Sequence, residues 1–520
     1  MSRRIKRADY EQVLLLPPSL EDWVGAGHPV RFIREVVESL KLGELEFEEP
    51  NSEEGGECYA PQLLLSVWLY GYWRRIRSSR KLETACREEM AFIWLSGNTQ
   101  PDHNTLWRFW AKNQAGIKNL FKRSVQMAME MGEVDMALAA IDGTKIQALC
   151  SGSGLHSRQH NEKLFKKLES QIQALEQQIA QSADDQQQLE RRPVLSEALR
   201  DKKRLAQRVR EALRRSEQNG QGYVHPQEPD AQRMPMNSGL NRFGYNAQTA
   251  VDAKSQIIVA SEVVNSPNDK HQLLPMLEAI KTTTGQAPAQ TVADAGYSSA
   301  AQLQKAAQEG LEVYTQLITQ SKAAVEAYHT RHFRYNRSTD CVECPQGQSL
   351  KLHQVRNKNG VLIKVYRNRA ACAQCLVRSL CTRDRGGRSI DIYPWHQFME
   401  QYRDKMSTAQ SQALLKRRSI INEPVFAWLK EHAQFRRFTF GGLSKAAVQW
   451  AFICAIHNFK ILAKAAKNAP QGPDPLSPNK TKQPILASLK GLLRLLTKFA
   501  HILDVFLRAP IFSSPSTAQF

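Results

Sequence analysis

The sequence predicts an α/β protein: a mixed sheet, headed by an all-helical segment and interrupted by two insertions. Three observations carry this expectation. Before residue 135, apolar residues recur at helical spacing only. Between residues 136 and 320, short apolar runs alternate with helical stretches. Five of the nine cysteines fall between Cys341 and Cys381, a cluster that a buried core does not explain.

The elements follow in order. Leu63, Leu64, Val67, Trp68 and Tyr70 form a helical stripe, followed by the basic string Arg74, Arg75, Arg77, Arg80 and Lys81. Gly97 to Pro101 is a turn, and Asp102 to Thr105 is a run of capping residues. The next helix turns Leu106, Trp107, Phe109 and Trp110 inward and Arg108 and Lys112 outward. Short helices ending in a basic one suit a helix-turn-helix-like DNA reader, so residues 1–135 are expected to be a helical DNA-binding domain.

Residues 136–146 read as a buried strand ending at Asp142. From Asn161 to Gln218, Leu164, Leu168, Ile172, Leu175 and Ile179, then Leu205, Val209 and Leu213, recur at spacings of three and four. With the polar stretch from Gln186 and Pro193 between them, they predict an antiparallel helical hairpin within an insertion at 150–240. Asn246–Val251 and Gln256–Val264 read as strands, then Leu273–Lys281 as a helix. Thr291–Ala293 is a strand ending at Asp294, Ala300–Glu309 a helix and Val313–Leu317 a strand. This order, with helices from 395 to 467, is that of a ribonuclease-H-like core spanning 136–320 and 395–467. The cysteine segment, 328–392, is a second insertion. Pro470, Pro473, Pro475, Pro478 and Pro484 mark a linker in 468–520, ahead of an amphipathic basic helix from Leu486 to Leu507.

Charge narrows the partners. The 520 residues hold 71 Lys and Arg against 51 Asp and Glu, a net charge of +20. From Cys341 to Phe440 the basic residues outnumber the acidic by 18 to 7. Such an excess favours a polyanion, because basic side chains release counterions condensed on phosphates. A membrane surface is disfavoured: Ala446–Phe459 is too short and too polar to span a bilayer, and no signal peptide is visible. A cytoplasmic protein is expected.

Asp142 and Asp294 each end an apolar strand, where open α/β sheets bind ligands. Paired carboxylates there repel unless a cation holds them, and hard oxygen donors suit Mg²⁺. Each aspartate alone is as consistent with a turn residue.

Ile141-Asp142-Gly143-Thr144-Lys145, Ala293-Asp294-Ala295-Gly296-Tyr297 and Asn422-Glu423-Pro424-Val425-Phe426, with Lys430 further on, resemble the three acidic blocks of bacterial insertion-sequence transposases of the DDE class. Tyr59-Ala60-Pro61, Ser79 to Glu83, Pro101 to Leu106, Gly244 to Gln248 and His457-Asn458 match the same group in order. The resemblance implies that Asp142, Asp294 and Glu423 bind two Mg²⁺ ions, with Mn²⁺ an alternative, and that Lys430 contacts a phosphate. It implies hydrolysis at transposon ends, strand transfer of the freed 3′ ends into double-stranded target DNA, and a homodimer or larger assembly on DNA. Many relatives have a Tyr and an Arg seven and four residues before the Glu; here Lys416 and Ser419 stand there, with Arg418 nearby. A catalytically inactive DNA-binding relative and a structure-specific nuclease of the same fold remain alternatives.

Cys341-x2-Cys344 and Cys372-x2-Cys375, with Cys381 a fifth candidate, suit a tetrahedral zinc site built from four of the five. Arg385 is among the basic residues around them and is a candidate DNA contact, with Arg108, Lys112 and Arg418.

Overall fold

The computed structural model describes residues 19–49, 58–151, 156–181, 192–220, 222–236, 239–317 and 325–468. The proline-rich linker and basic tail expected beyond 468 lie outside these residues.

Six helices come first: α1 (Pro29–Ser39), α2 (Pro61–Trp73), α3 (Ser79–Glu88), α4 (Met90–Leu95), α5 (His103–Lys112) and α6 (Gln114–Glu130). Helix α2 is buried without a break from Leu64 to Tyr72, as the central helix of a bundle must be. Asp102 caps α5 by accepting from the Asn104 and Thr105 N–H groups. Trp110 of α5 packs against Trp68 and Tyr72 of α2, with ring centroids 4.8 and 5.8 Å away. Trp107 departs from expectation. It is 40% exposed and stacks on Phe440 at 5.5 Å, on the outer side of α5 that also exposes Arg108 and Lys112.

Strand β1 (Leu138–Gln147) is followed by helices α7 (Arg158–Gln181) and α8 (Arg192–Asn219). Leu168, Ala206 and Val209 are buried between this pair, with Leu164, Ile172, Leu205 and Leu213 beside them. The stripe predicted from spacing is therefore the hairpin's seam. Strands β2 (Gln232–Pro235), β3 (Asn241–Asp252) and β4 (Ile258–Val264) then return to β1. Next come α9 (Leu273–Thr284), β5 (Gln290–Ala293), α10 (Ala300–Gln308) and β6 (Val313–Thr315).

The sheet runs β4–β3–β1–β5–β6, antiparallel at β4/β3 and β3/β1 and parallel at β1/β5 and β5/β6. This is the ribonuclease-H-like arrangement. The unforeseen β2 shares an edge of the long β3 with β4, pairing Asn241–Gly244 while β4 pairs Asn246–Val251.

The cysteine segment forms a second, antiparallel sheet of β7 (Arg334–Asn336), β8 (Cys341–Glu343), β9 (Ser349–Lys358), β10 (Val361–Arg367) and β11 (Ser389–Ile392). Short helices α11 (Arg369–Ala373) and α12 (Arg378–Cys381) sit between β10 and β11. Its separate core is small: Phe333, Val342, Leu350, Tyr366, Ile390 and Ile392.

The chain closes with α13 (His396–Ser407), α14 (Ala409–Ala427), a π-helical turn at Trp428–His432 and α15 (Leu443–Asn468). Helix α14 lies against β1, β5 and β6, and α15 against β4 and α6. Helix α15 extends well beyond Ala446–Phe459. Over its 26 residues it is long and apolar enough to cross a membrane by length and composition, contrary to the sequence expectation. Most of it is buried in the protein, as in a core helix: Asn458 bonds both the N–H and C=O of Ile258 and the Ser124 hydroxyl.

Candidate active site

Asp142 is not at the end of its strand, as expected, but near the middle of β1. What ends there is the neighbour. Parallel pairing of β1 with β5 stops at Ile141 opposite Ala293, so Asp142 and Asp294 are the next residues on adjacent strands. Asp142 shares the parity of Ala140, whereas Asp294, just past the end of β5, opens the turn Ala295–Tyr297. Asp294 caps the turn that follows, accepting from the Gly296 N–H at 2.5 Å. Asp142 accepts from the Gly143 N–H at 2.8 Å and from the Arg418 guanidinium at 2.7 Å.

Burial pushes the Asp142 carboxyl up to about 6; Arg418 and the Gly143 N–H oppose the rise, and Asp294 and Asp269 add to it. The rise wins although an arginine touches the group, because water is largely excluded and two further carboxylates face it.

Asp269 has no counterpart in the sequence reading. It sits in the polar turn between β4 and α9 and accepts from Asn246 Nδ2 (2.6 Å) and Gln248 Nε2 (2.7 Å), with Lys145 Nζ at 3.5 Å. By strand alternation, Gly143 and Lys145 face away from Asp142's side, and Asp269 closes on them there. Gly143 makes this approach possible: a Cβ would lie 2.4 Å from Gln248 Nε2 and 3.0 Å from Asp269 Oδ1. At Gly296 a Cβ would meet Asp294 Oδ1 at 2.9 Å and Asp269 Oδ2 at 3.5 Å. Two glycines thus make room for carboxylates, Gly143 for Asp269 and Gly296 for Asp294 and Asp269. Lys145 feels all three; burial lowers its pKa and Asp269, Asp294 and Asp142 oppose that.

Helix α14 brings the remaining candidates. Leu414, Arg418, Ile421, Asn422 and Val425 recur at spacings of three and four on its sheet-facing side, all buried except Arg418, which reaches Asp142. Arg418 is therefore engaged with the acidic centre in this state. Lys430, in the π-helical turn, is half-buried; burial lowers its pKa and the Asp142 charge opposes this. Glu423 is exposed on α14. Pro424 does not break α14, which runs on to Ala427 before the π-helical turn.

Two aspartates are suited to a divalent cation, although no three His, Cys, Asp or Glu side chains among the described residues are gathered closely enough to hold one. Asp142 and Asp294 offer hard oxygens from adjacent strands, and their mutual repulsion favours a cation between them. Close by, buried Asn422 has no partner at either amide atom among the described residues, nor does Asn246 Oδ1. Of the cysteines, Cys344, Cys372, Cys375 and Cys381 line one small cavity, whereas Cys341 lies in β8. Arg385 is exposed beside them.

A ribonuclease-H-like sheet with carboxylates where its central parallel strands part defines a class of proteins that act on phosphodiester backbones. Two family models specify the relationship. Residues 18–112 match the Transposase domain (DUF772) family and residues 343–463 match the Transposase DDE domain family. The chain thus carries two segments similar to domains of insertion-sequence transposases of the DDE class. The second match contains Glu423, Lys430 and the last four cysteines of the cluster; Asp142 and Asp294 lie outside it. No curated protein matches the chain.

Proposed function

We propose that the chain binds the terminal repeats of an insertion sequence, hydrolyses the DNA at those ends and joins the 3′ ends to target DNA. The observation that carries this reading is the register of Asp142 beside Asp294 where β5 ends. Asp142 and Asp294 would hold Mg²⁺ or Mn²⁺, which would activate the attacking oxygen and steady the leaving oxygen of a phosphodiester, and Glu423, exposed and off the sheet-facing side of α14, would join them only if that helix turned. The chain's own residues supply the rest. Lys430, half-buried beside Asp142, receives a phosphate oxygen of the DNA. Asp269, fixed by Asn246, Gln248 and Lys145, holds β1 and β3 in place behind the pair and adds negative charge there. Exposed Arg108, Lys112 and Arg385 grip the backbone of double-stranded DNA, and two ends held together call for at least a homodimer.

Terminal-repeat DNA with Mg²⁺ tests this. Asp294→Asn is expected to abolish cleavage and leave DNA binding intact. Arg108→Ala is expected to weaken binding and flatten its salt dependence by about one phosphate contact. Cleavage by Asp294→Asn at the wild-type rate refutes the assignment. Binding without cleavage by the wild type identifies an inactive relative, and cleavage without joining a nuclease.

A further inference from the structure

We propose that Cys344, Cys372, Cys375 and Cys381 form a structural zinc site and that Cys341 takes no part in it. These four thiols line a single cavity of about 40 Å³ between the β8–β9 turn and helices α11 and α12. That is room for one ion in a shell of sulfurs at about 2.3 Å. As the side chains stand, no three cysteine, histidine or carboxylate groups among the described residues are gathered tightly enough to hold an ion. The thiols therefore rotate inward across this cavity on binding. All four are free and half-buried.

Cys341 fails on geometry. It is locked in β8, paired with Asn336 and Lys351. Two residues separate it from Cys344, and alternation along β8 puts it with exposed Glu343 on the face opposite buried Val342. Cys344 instead opens a tight turn. Its N–H donates to the Gln348 carbonyl at 2.9 Å, Gly347 takes a φ of 71°, and the Gln348 N–H donates to Cys344 Sγ at 3.4 Å. A backbone N–H aimed at sulfur stabilises a thiolate. On the other wall, Gly387 (φ 88°) lets the chain lie on Cys372, since a Cβ there would fall 3.0 Å from its Sγ.

Two independent observations point to an occupant. Arg388, only 8% exposed, lines the same cavity with Nε and Nη2 unpartnered among the described residues. A buried cation whose Nη1 reaches only the Cys381 carbonyl, at 3.4 Å, is costly, and four thiolates around Zn²⁺ leave a net double negative charge beside it. Further, α11 and α12 bury no residue at all, and Leu376 between them is fully exposed. Apolar packing ties these helices to the sheet only weakly, through Cys381 of α12; an ion shared by Cys344, Cys372, Cys375 and Cys381 completes the attachment.

Full-length protein purified under reducing conditions without added metal is expected to carry about one zinc per chain. Cys344→Ser, Cys372→Ser, Cys375→Ser and Cys381→Ser should each lose it, and Cys341→Ser should keep it. Because a serine variant can lose metal by misfolding, metal-stripped wild type and Cys341→Ser are also loaded with Co²⁺. Both should develop the intense thiolate charge-transfer and visible bands of a tetrahedral four-sulfur site. Wild type lacking zinc, loss of zinc from Cys341→Ser, or a weak six-coordinate cobalt spectrum overturns the proposal. None of these readouts depends on whether the chain cuts DNA.

Discussion

Asp142→Asn is expected to stabilise the metal-free protein at pH 8. The wild-type carboxyl titrates at about 6 in the fold against an ordinary 3.8, so the folded state holds its proton more tightly than the unfolded chain. Between those values the folded state binds more protons, and stability falls as pH rises. Once both states are ionised, the loss is about 3 kcal/mol, at roughly 1.4 kcal/mol per pH unit. The asparagine is nearly isosteric, keeps an acceptor for Arg418 and carries no charge to bury or to repel Asp294 and Asp269. In chelator at pH 8 the variant should therefore melt several degrees above wild type, and near pH 4 the two should converge. Mg²⁺ should raise the wild-type melting point and leave the variant's almost unchanged. A variant destabilised equally at pH 8 and pH 4 would refute the reasoning, because the carboxylate would then be a net structural asset.

His457 should show the opposite sign. Burial holds it down to about 4 although its Nε2–H donates to the Gln256 carbonyl at 3.0 Å, so the unfolded chain takes up the proton first. Stability is full above pH 6.5 and falls by about 3 kcal/mol as pH drops toward 4; denaturant titrations of His457→Gln should lack this loss, and an unchanged pH profile would exclude it. Gly143→Ala should cost about 1–3 kcal/mol through overpacking and suppress cleavage, since the new methyl displaces Gln248 and Asp269; melting and cleavage measured together check this, and normal values in both would show that the room left by Gly143 is not needed.

The fold was legible where packing imposes a period. The apolar runs became β1, β5 and β6, and the three-and-four spacing of Leu164 to Leu213 became the hairpin seam. Asp142 and Asp294 were legible because each follows such a run. Asp269 was not. It follows Ser266, Pro267 and Asn268 in a polar turn, and only the cross-strand ladder that puts Asn246 and Gln248 beside Lys145 and Gly143 gives it meaning. The strand position of Asp142 is not legible, because β1 continues past it to Gln147 although its pairing with β5 stops at Ile141, which local sequence does not mark. Residue type points Trp107 inward, yet its partner Phe440 is remote in sequence. Paired x2 spacings group Cys341 with Cys344, whereas in the fold only Cys344 of that pair lines the cavity shared with Cys372, Cys375 and Cys381.

Helix α15 also bears on how the chain can be made. It covers β4, α6 and part of α2 together, through contacts such as Asn458 to Ser124 of α6 and Gln449 to Tyr72 of α2 that join residues more than three hundred positions apart. During synthesis the helical head and the five-strand order both leave the ribosome first, with that apolar surface bare. Neither can complete its core until the last described segment arrives. Nascent chains must pass through a long window of exposure, and any product truncated before Leu443 should aggregate or be degraded rather than persist as a free DNA-binding fragment.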